Sequence, residues 1–504
     1  MTPLAAQLAA AAQAHAGRPA LSIGGETLTY AELFAAAERC AARLEAVPPG
    51  ARVGLLAHRS LAAYVGVLAL VLSGRPYVPI NPKAPPERQN AIAAAAGCGG
   101  WLFDAATAES AHALAAGHGG LALPVDPKAV GPRDFTAASS RHAYVMFTSG
   151  TTGTPKGVAV RADNVTAYVD AFAQIAAITA TDRCTQFFDL SFDLSVHDMF
   201  VTWAAGACLV APTEAELIDP VGFANRAAAS VWFSVPSAPA MAQRMRRLGP
   251  GVLPGLRLAL FCGEPLPSSL ARAVAAAAPN AAVWNLYGPT EATIAITAQR
   301  FDWAEAMPAT VPLGEANAGC AAVVVDGNGQ PVPPGGEGEL WLAGPQITDG
   351  YINNPAEQAA KFLNTTVPGY PHTLWYRSGD LVRNDPVWSL VCQGRLDDQV
   401  KISGYRVELL EIEEALRRAA GTSEVAAVPW PLNEGGSAEG LVGFVVASSV
   451  DSRAITAAMR DLLPVYMVPK RIIPVEALPL NANGKIDRKT LRQTYLQGAA
   501  TAAS

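Results

Sequence analysis

The sequence predicts an α/β protein with a second, smaller α+β domain at its carboxyl end. Alanine-rich helical stretches alternate with short runs of β-branched and apolar residues, a pattern typical of helices layered over buried sheets. The length of 504 residues exceeds what one compact core usually holds, so two or three cooperating domains are expected.

Short apolar runs mark the strands of the larger region. Two polar turn clusters, at residues 326–329 and 332–338, predict hairpin turns between strands. Alanine-rich residues 1–18 predict a helix. The predicted strands of this region include residues 51–56, 143–147, 256–261 and 321–325.

The secondary-structure pattern starts again after Gly394. We therefore expect an amino-terminal core over residues 1–395 and a carboxy-terminal domain over residues 396–504, about the size of an ordinary small domain. The carboxy-terminal elements are predicted as a strand at 399–402, a helix at 409–420, a strand at 440–446 and a helix at 454–462.

Composition excludes several classes of protein. A net charge of -6 with only 16% charged residues provides no basic surface for nucleic acid or anionic lipid. The first basic residue is Arg18, so the amino terminus lacks the basic region of a signal peptide, and the apolar run at residues 64–72 is about half a membrane span. The seven cysteines form no CxxC pair, which argues against structural zinc and a disulfide framework. We expect a cytoplasmic enzyme acting on small molecules, with no nucleic acid and no membrane partner.

A loop rich in glycine and hydroxyl residues follows the strand predicted at 143–147. Its glycines allow the backbone to approach phosphate oxygens, its hydroxyls donate hydrogen bonds, and Lys156 supplies a cation. Lys156 lies between Pro155 and Gly157, so this is not a Walker A loop. The full run at residues 144–157 is Tyr-Val-Met-Phe-Thr-Ser-Gly-Thr-Thr-Gly-Thr-Pro-Lys-Gly.

This run closely resembles the signature of the adenylate-forming superfamily, which comprises acyl-CoA synthetases, luciferases and the adenylation domains of nonribosomal peptide synthetases. The resemblance extends over nearly the whole chain, from about residue 28 to residue 489. It implies a large multi-layered amino-terminal domain and a small mobile α+β lid. Further matching segments are residues 28–33, 75–82, 285–291, 376–381, 394–408 and 478–487.

The resemblance implies binding of ATP and Mg²⁺. Tyr287 would stack on adenine, Asn285 would lie at the adenine edge, and Thr290 would meet the phosphates. Glu291 would hold Mg²⁺, a hard ion that prefers oxygen ligands. The expected nucleotide-binding residues are Thr148, Ser149, Gly150, Thr151, Thr152, Asn285, Tyr287, Gly288, Thr290, Asp380, Arg395 and Lys485, among which Asp380 would accept hydrogen bonds from ribose hydroxyls and Arg395 would donate one nearby.

The carboxy-terminal segments carry the motifs of the lid. Asp397 matches the hinge of the family and Gly404 the loop that approaches the pantetheine path. Lys485 matches the catalytic lysine, which stabilises the charge that redistributes as pyrophosphate leaves. Thr148 and Lys156 are expected to act with Lys485 in catalysis.

Within the superfamily, an aspartate that pairs with a substrate ammonium is typical of the peptide synthetase branch. Asp193 in the segment 192–200 fits this role, since an ammonium removed from water needs a counter-charge. Asp189 is a rival, because the tetrapeptide Phe-Asp-Leu-Ser occurs twice in a row at 188–195. The substrate pocket is expected to comprise Asp193, Leu194, His197, Phe233, Leu260, Cys262, Leu286, Ile294 and Ala295, closed by Lys485.

The pocket residues are mostly apolar and several are bulky, which favours a small, largely aliphatic amino acid. The combination resembles stand-alone ligases for L-proline and also D-alanine carrier-protein ligases, while His197 and Cys262 leave cysteine, serine and alanine open. L-proline is the preferred candidate, and glycine is expected to be a poor substrate. Only 15 residues follow Lys489, so we expect a discrete phosphopantetheinylated carrier protein as partner. The alternatives are an acyl-CoA synthetase and a catalytically silent nucleotide-binding protein.

Overall fold

The computed structural model describes residues 1–138, 140–150, 155–302, 307–402, 404–480 and 486–496. The chain divides into two compact units. The first comprises Met1–Pro82, Ile92–Phe147 and Gly157–Leu396, and the second comprises Lys83–Ala91, Thr148–Lys156 and Asp397–Ser504 as far as these are described.

The strands alternate with helices in both units, as the sequence predicts. In chain order the strands are β1 Pro19–Ile23, β2 Glu26–Thr29, β3 Arg52–Leu56, β4 Tyr77–Pro79, β5 Cys98–Phe103, β6 Leu121–Pro124, β7 His142–Thr148, β8 Lys156–Arg161, β9 Arg183–Thr185, β10 Cys208–Ala211, β11 Val231–Ser234, β12 Leu258–Phe261, β13 Ala282–Tyr287, β14 Thr297–Arg300, β15 Glu315–Ala316, β16 Ala321–Val325, β17 Glu337–Ala343, β18 Gly350–Tyr351, β19 Phe362–Asn364, β20 Leu374–Asp385, β21 Ser389–Arg395, β22 Gln399–Ile402, β23 Tyr405–Glu408, β24 Val425–Pro429, β25 Leu441–Val446 and β26 Arg471–Val475.

The helices vary in length from single turns to four turns. In chain order they are α1 Pro3–Ala14, α2 Tyr30–Arg43, α3 Leu61–Leu72, α4 Pro86–Ala96, α5 Ala108–His118, α6 Ala162–Ala176, α7 Leu194–Val196, α8 Thr202–Ala204, α9 Pro220–Arg226, α10 Ser237–Arg244, α11 Ser268–Ala277, α12 Pro355–Lys361, α13 Leu409–Ala420, α14 Ser452–Arg460 and α15 Arg488–Tyr495, with a π-helical segment, His197–Val201, between α7 and α8. None of those in the described ranges is long and apolar enough to cross a membrane.

In its described residues the first unit contains three sheets. The largest has the order β15-β14-β13-β12-β11-β9-β10-β1-β2, and its strands β9 to β13 run parallel to one another. The second has the order β18-β8-β7-β4-β3-β5-β6, and the third is antiparallel, with the order β16-β17-β20-β19 and β21 on β20. The apolar run at residues 64–72 forms most of α3, which is buried along nearly its whole length because it packs inside this unit. It is a core helix, and its apolar run has only about half the length that a membrane span requires.

The second unit is a small α+β domain. Its sheets are the hairpin β22-β23 and the three-stranded β24-β25-β26, and α13 and α14 supply apolar residues to one core cluster. The helix α13 has the predicted bounds, whereas α14 begins two residues earlier than predicted because the Asp451 side chain caps it by accepting from the Arg453 and Ala454 amides. The α/β and α+β fold class predicted from the sequence is therefore confirmed.

Candidate active site

One wall of the predicted substrate pocket is a face of the parallel strands β11, β12 and β13. In the strand register Phe233 lies beside Leu260, and Leu260 lies beside Trp284. Side chains two residues apart along a strand share a face, so Cys262 and Leu286 continue the face that Phe233 and Leu260 begin. All four are buried in one apolar cluster that also contains Leu194, Ile294 and Ala295.

The Asp193 carboxyl group lies at the start of α7 and is only 8% exposed. Its Oδ2 atom has no hydrogen-bond partner among the described residues. Burial raises the pKa of Asp193 to about 6, and the negative charge of Glu291 adds to this shift, whereas the Thr290 hydroxyl and two backbone amides oppose it. A buried carboxylate in this state is a site for a cation or a proton.

Asp189, the rival to Asp193, is already satisfied by neighbouring groups. Its Oδ1 atom accepts from the Ser191 amide at 2.9 Å and from the Ser191 hydroxyl at 2.6 Å, and its Oδ2 accepts from Asn81 Nδ2 at 3.1 Å. The geometry therefore favours Asp193 over Asp189 as the residue that meets a charged ligand.

His197 lies three residues beyond Leu194, in the π-helical segment, and is 3% exposed. Its Nδ1 atom is 2.6 Å from the Tyr168 hydroxyl oxygen. Its ring contacts Phe172, with ring centroids 4.5 Å apart, and Phe233, with centroids 4.2 Å apart. Two aromatic residues of α6 that no motif marks, Tyr168 and Phe172, therefore support this wall of the pocket.

The pocket residues Ile294 and Ala295 belong to a turn with unusual backbone geometry. Thr293 and Ile294 have φ angles of 56° and 72°, a region that β-branched residues avoid at a cost of about 1–3 kcal/mol each. The buried Gln346 side chain stabilises the turn by donating from Nε2 to the Ala295 carbonyl at 2.8 Å, and Asn317 donates to the same carbonyl at 2.9 Å. The sequence motif ends before this segment and does not identify Gln346 or Asn317.

The predicted ribose residues form a connected group on the antiparallel pair β20 and β21. The strand register places Asp380 opposite Arg395. Arg395 Nη1 donates to Asp380 Oδ1 at 2.7 Å, and the Tyr287 hydroxyl donates to Asp380 Oδ2 at 2.5 Å. These contacts fix the orientation of the Tyr287 ring and of the carboxylate, and each carboxylate oxygen can accept one further hydrogen bond.

Asn285 and Gly288 are held by the backbone around them. Asn285 Nδ2 donates to the carbonyls of Val311 at 3.1 Å and Pro312 at 2.8 Å, which fixes the side-chain amide. A Cβ atom at Gly288 would lie 2.7 Å from the Ala295 Cα atom, so only glycine fits between the strand β13 and the strained turn. The predicted nucleotide segment and the predicted substrate pocket thus meet in one closely packed piece of backbone.

Glu291 is almost fully buried and accepts a hydrogen bond from the Tyr351 hydroxyl at 2.6 Å. No group of three or more metal-ligating side chains occurs in the described ranges. A single carboxylate fits Mg²⁺, because this ion commonly takes one or two protein carboxylates and completes its shell with substrate phosphates and water. The sequence gives no sign of the supporting Tyr351, 60 residues away.

The described residues of the predicted phosphate loop belong to the second unit, together with Asp397, the predicted hinge residue. Lys156 Nζ lies 3.4 Å from Glu408 Oε1, and both side chains are less than 5% exposed. Ser149 Oγ accepts from the Glu408 amide at 3.1 Å and donates to the Arg406 carbonyl at 2.8 Å. Lys156 is thus paired with a carboxylate of β23, a long-range contact that sequence reasoning missed. Thr151, Thr152 and Lys485 lie outside the described residues.

Comparisons with known proteins identify the family. The AMP-binding enzyme model matches residues 8–352, and the model of the AMP-binding enzyme C-terminal domain matches residues 411–485. The chain belongs to the AMP-binding enzyme family. It is 33% identical to the D-alanine--D-alanyl carrier protein ligase of Lactiplantibacillus plantarum over 93% of this chain and 94% of that protein.

This AMP-binding enzyme also resembles longer proteins and a solved structure. It is 33% identical to tyrocidine synthase 3 of Brevibacillus parabrevis over 94% of its own length, but it spans only 6–9% of the length of three curated relatives, this synthase among them. The crystal structure of the Vibrio cholerae adenylation domain AlmE in complex with glycyl-adenosine-5'-phosphate matches with a TM-score of 0.87 and 33% identity, covering 99% of this chain and 98% of that one.

The burial of Asp193 predicts a pH-dependent cost in stability. The folded-state pKa, about 6, lies above the ordinary value of 3.8, so the folded state binds the extra proton between these values and loses stability as pH rises through them. Asp193→Asn removes the ionisable group. We expect its free energy of unfolding, measured by urea denaturation, to exceed that of the wild type by about 3 kcal/mol at most at pH 8. At pH 5 the difference should be about half as large.

The control is Asp189→Asn, which removes a carboxylate that accepts three hydrogen bonds and should lower stability. An Asp193→Asn variant less stable than the wild type at pH 8, or equally changed at both pH values, would contradict the assignment of Asp193 as an unpaired buried carboxyl.

Proposed function

We propose that this enzyme uses ATP to convert a small amino acid to its aminoacyl-AMP and then transfers the aminoacyl group to the phosphopantetheine thiol of a separate carrier protein. The observation that carries the proposal is the buried Asp193 carboxylate at a largely apolar pocket. An ammonium group supplies the counter-charge that this carboxylate lacks, whereas a fatty or aryl acid would leave it unpaired at a cost of several kcal/mol.

The comparisons support an amino acid substrate of small size. One relative of nearly equal length is named a D-alanine carrier-protein ligase, and the AlmE adenylation domain was solved with glycyl-adenylate. Both names concern amino acids with at most a methyl side chain. They support amino acid adenylation and transfer to a carrier protein, and they give no support to L-proline.

The packing of the pocket also favours a small side chain. His197 and Phe233 are in ring contact, so a substrate side chain cannot extend between them without moving one of the two rings. We therefore place glycine and either enantiomer of alanine ahead of L-proline. We retain L-proline, serine and cysteine as alternatives. The expectation that glycine is a poor substrate is dropped in this proposal.

Two balanced steps describe the reaction. First, a carboxylate oxygen of the amino acid attacks the α-phosphorus of ATP, the bond to the bridging oxygen breaks, and pyrophosphate leaves. Second, the pantetheine thiolate attacks the acyl carbon, a thioester forms, and AMP leaves. Both steps redistribute negative charge on phosphate oxygens, so positioned cations and hydrogen-bond donors lower the barriers.

Residues of this chain take the following roles in the proposal. Tyr287 and Asn285 bind adenine, Gly288 allows close backbone approach, and Asp380 and Arg395 bind the ribose. Glu291 would hold Mg²⁺ together with the phosphates, and the ion would offset their charge. Thr290, Thr148, Ser149, Gly150, Thr151, Thr152 and Lys156 meet the phosphates, Lys485 supplies charge in the first step, and Asp397 is the hinge.

The pairing of Lys156 with Glu408 adds one step to this proposal. Because the Lys156 ammonium already contacts a buried carboxylate, phosphate oxygens would share this cation with Glu408 or replace Glu408 when ATP binds. The charge of Lys156 stays compensated in either case, so the loop avoids the cost of an unpaired buried cation.

A panel of substrates tests the proposed function. We expect ATP–pyrophosphate exchange to be fastest with glycine or alanine, slower with L-proline, and absent with fatty and aryl acids. Asp193→Asn should reduce the exchange by at least about 100-fold, because one partner of a buried ion pair is lost, and Asp189→Asn should retain it. Exchange driven by a fatty or aryl acid and by no amino acid would favour the acyl-CoA synthetase alternative, and a clear preference for L-proline would refute the small pocket.

The proposed role of Lys485 is tested separately. Lys485→Ala should lower the adenylation rate about 100- to 1,000-fold and leave ATP binding nearly unchanged, because a preorganised charge acts mainly where charge develops. Lys489→Ala is the control, since Lys489 lies in α15 and has no role in the proposed site. Near-normal exchange by Lys485→Ala in a folded protein would remove Lys485 from the mechanism.

A further inference from the structure

The His197 ring is enclosed by aromatic side chains on two elements. Phe172, on α6, meets it edge-on with an interplanar angle of 81°, and Phe233, on β11, contacts it at a centroid distance of 4.2 Å. Tyr168, one turn before Phe172, meets it at 5.8 Å. Rotation of the imidazole would require these rings to move, so its position depends on α6 as well as on the pocket strands.

The Tyr168 hydroxyl fixes which nitrogen of His197 carries the proton. Burial lowers the pKa of His197 to about 3 and raises the pKa of Tyr168, so the imidazole is neutral and the phenol is protonated at neutral pH. In the described part of the chain, the hydroxyl has one hydrogen-bond partner, His197 Nδ1, at 2.6 Å. If Nδ1 were the donor, the phenol hydrogen would remain buried without an acceptor, which costs about 1–3 kcal/mol.

The arrangement therefore has one favourable form. Tyr168 donates, the Nδ1 lone pair accepts, and the imidazole proton is on Nε2. No side chain or carbonyl within the described ranges accepts a hydrogen bond from Nε2, but Nε2 is not among the fully buried polar atoms that lack a partner, so water can accept from this N–H, whereas Tyr168 is 0% exposed. A methylene group inserted between the two rings would need about 3.5–4 Å to each of them, so the rings would have to lie about 7–8 Å apart. The centroids of His197 and Phe233 are 4.2 Å apart, so no methylene group fits between these rings as they stand.

We propose that Tyr168 is a positioning residue for amino acid selection: its hydroxyl holds His197 in the Nε2–H tautomer and against Phe233, which closes the pocket to side chains larger than a methyl group. This inference rests on the proposed function, because it assumes that His197 borders an amino acid pocket. According to this inference, the upper limit on the size of the substrate side chain depends on Tyr168, a residue of α6 that lies outside the pocket motif.

The test compares Tyr168→Phe with the matched control Tyr30→Phe. Tyr30 is also fully buried, and its hydroxyl donates to a backbone carbonyl, that of Ala207, at 2.7 Å. Both variants lose one buried phenol hydroxyl and its hydrogen bonding, which in Tyr30 also reaches the carbonyls of Trp203 at 3.3 Å and Thr202 at 3.5 Å, but Tyr30 and its partners lie outside the pocket. An effect on activity that comes only from the loss of a buried hydroxyl should therefore appear equally in Tyr168→Phe and in Tyr30→Phe.

The kinetic readout is pyrophosphate exchange with glycine, alanine and L-proline as substrates. In Tyr168→Phe we expect kcat/KM for L-proline to rise relative to glycine by roughly tenfold, with the KM for ATP unchanged, since a freed imidazole ring enlarges the pocket by about one or two methylenes. Tyr30→Phe should leave the ratio unchanged. The same ratio in wild type, Tyr168→Phe and Tyr30→Phe would overturn the inference.

The second readout does not depend on activity. Tautomer-sensitive ¹⁵N shifts of histidine-labelled protein, with the His197 signal assigned by its loss in His197→Asn, should show the Nε2–H form in the wild type and a mixture in Tyr168→Phe. An Nδ1–H form in the wild type would also overturn the inference. If no amino acid supports exchange in the wild type, the proposed function fails. The ¹⁵N measurement still shows whether Tyr168 holds His197 in the Nε2–H form.

Discussion

The proposed chemistry depends on the carboxylate of Asp193, which is buried at a largely apolar pocket and pairs with no cation among the described residues. A carboxylate removed from water without a partner weakens the fold, and its raised pKa is the measure of that cost. Such an arrangement persists where a ligand supplies the missing charge. In the proposed function, amino acid recognition therefore follows from the electrostatics of an otherwise unfavourable site.

The rest of the first unit holds the surroundings of this carboxylate rigid. The face of β11 to β13 provides an apolar wall, the turn around Ile294 is held in a strained conformation by Gln346 and Asn317, and Gly288 packs against the same turn. Because the turn also carries Glu291 and follows Tyr287, the amino acid and nucleotide segments cannot shift independently. This rigidity suits a reaction in which two reactants must be aligned closely.

The motifs in the sequence predict the family and the two-part fold, and they also identify the candidate site residues, which stay predictions, because catalytic groups occur in short contiguous segments. The choice between Asp193 and Asp189 could not be made from charge alone, since it depends on Asn81, which lies 108 residues away and satisfies Asp189. Tyr168 and Phe172 were missed for a different reason. In sequence they look like ordinary core residues of an amphipathic helix, and only the packing of α6 shows that they contact His197.

The central claim is that Asp193 pairs with the substrate ammonium. It is tested most directly by calorimetric binding of non-hydrolysable sulfamoyl analogues of glycyl- and alanyl-adenylate, each compared with the counterpart that lacks the amino group. The account predicts that the wild type binds the aminoacyl analogues about 100-fold more tightly, and that Asp193→Asn abolishes this difference. Equal affinity of the wild type for the two kinds of analogue would contradict it.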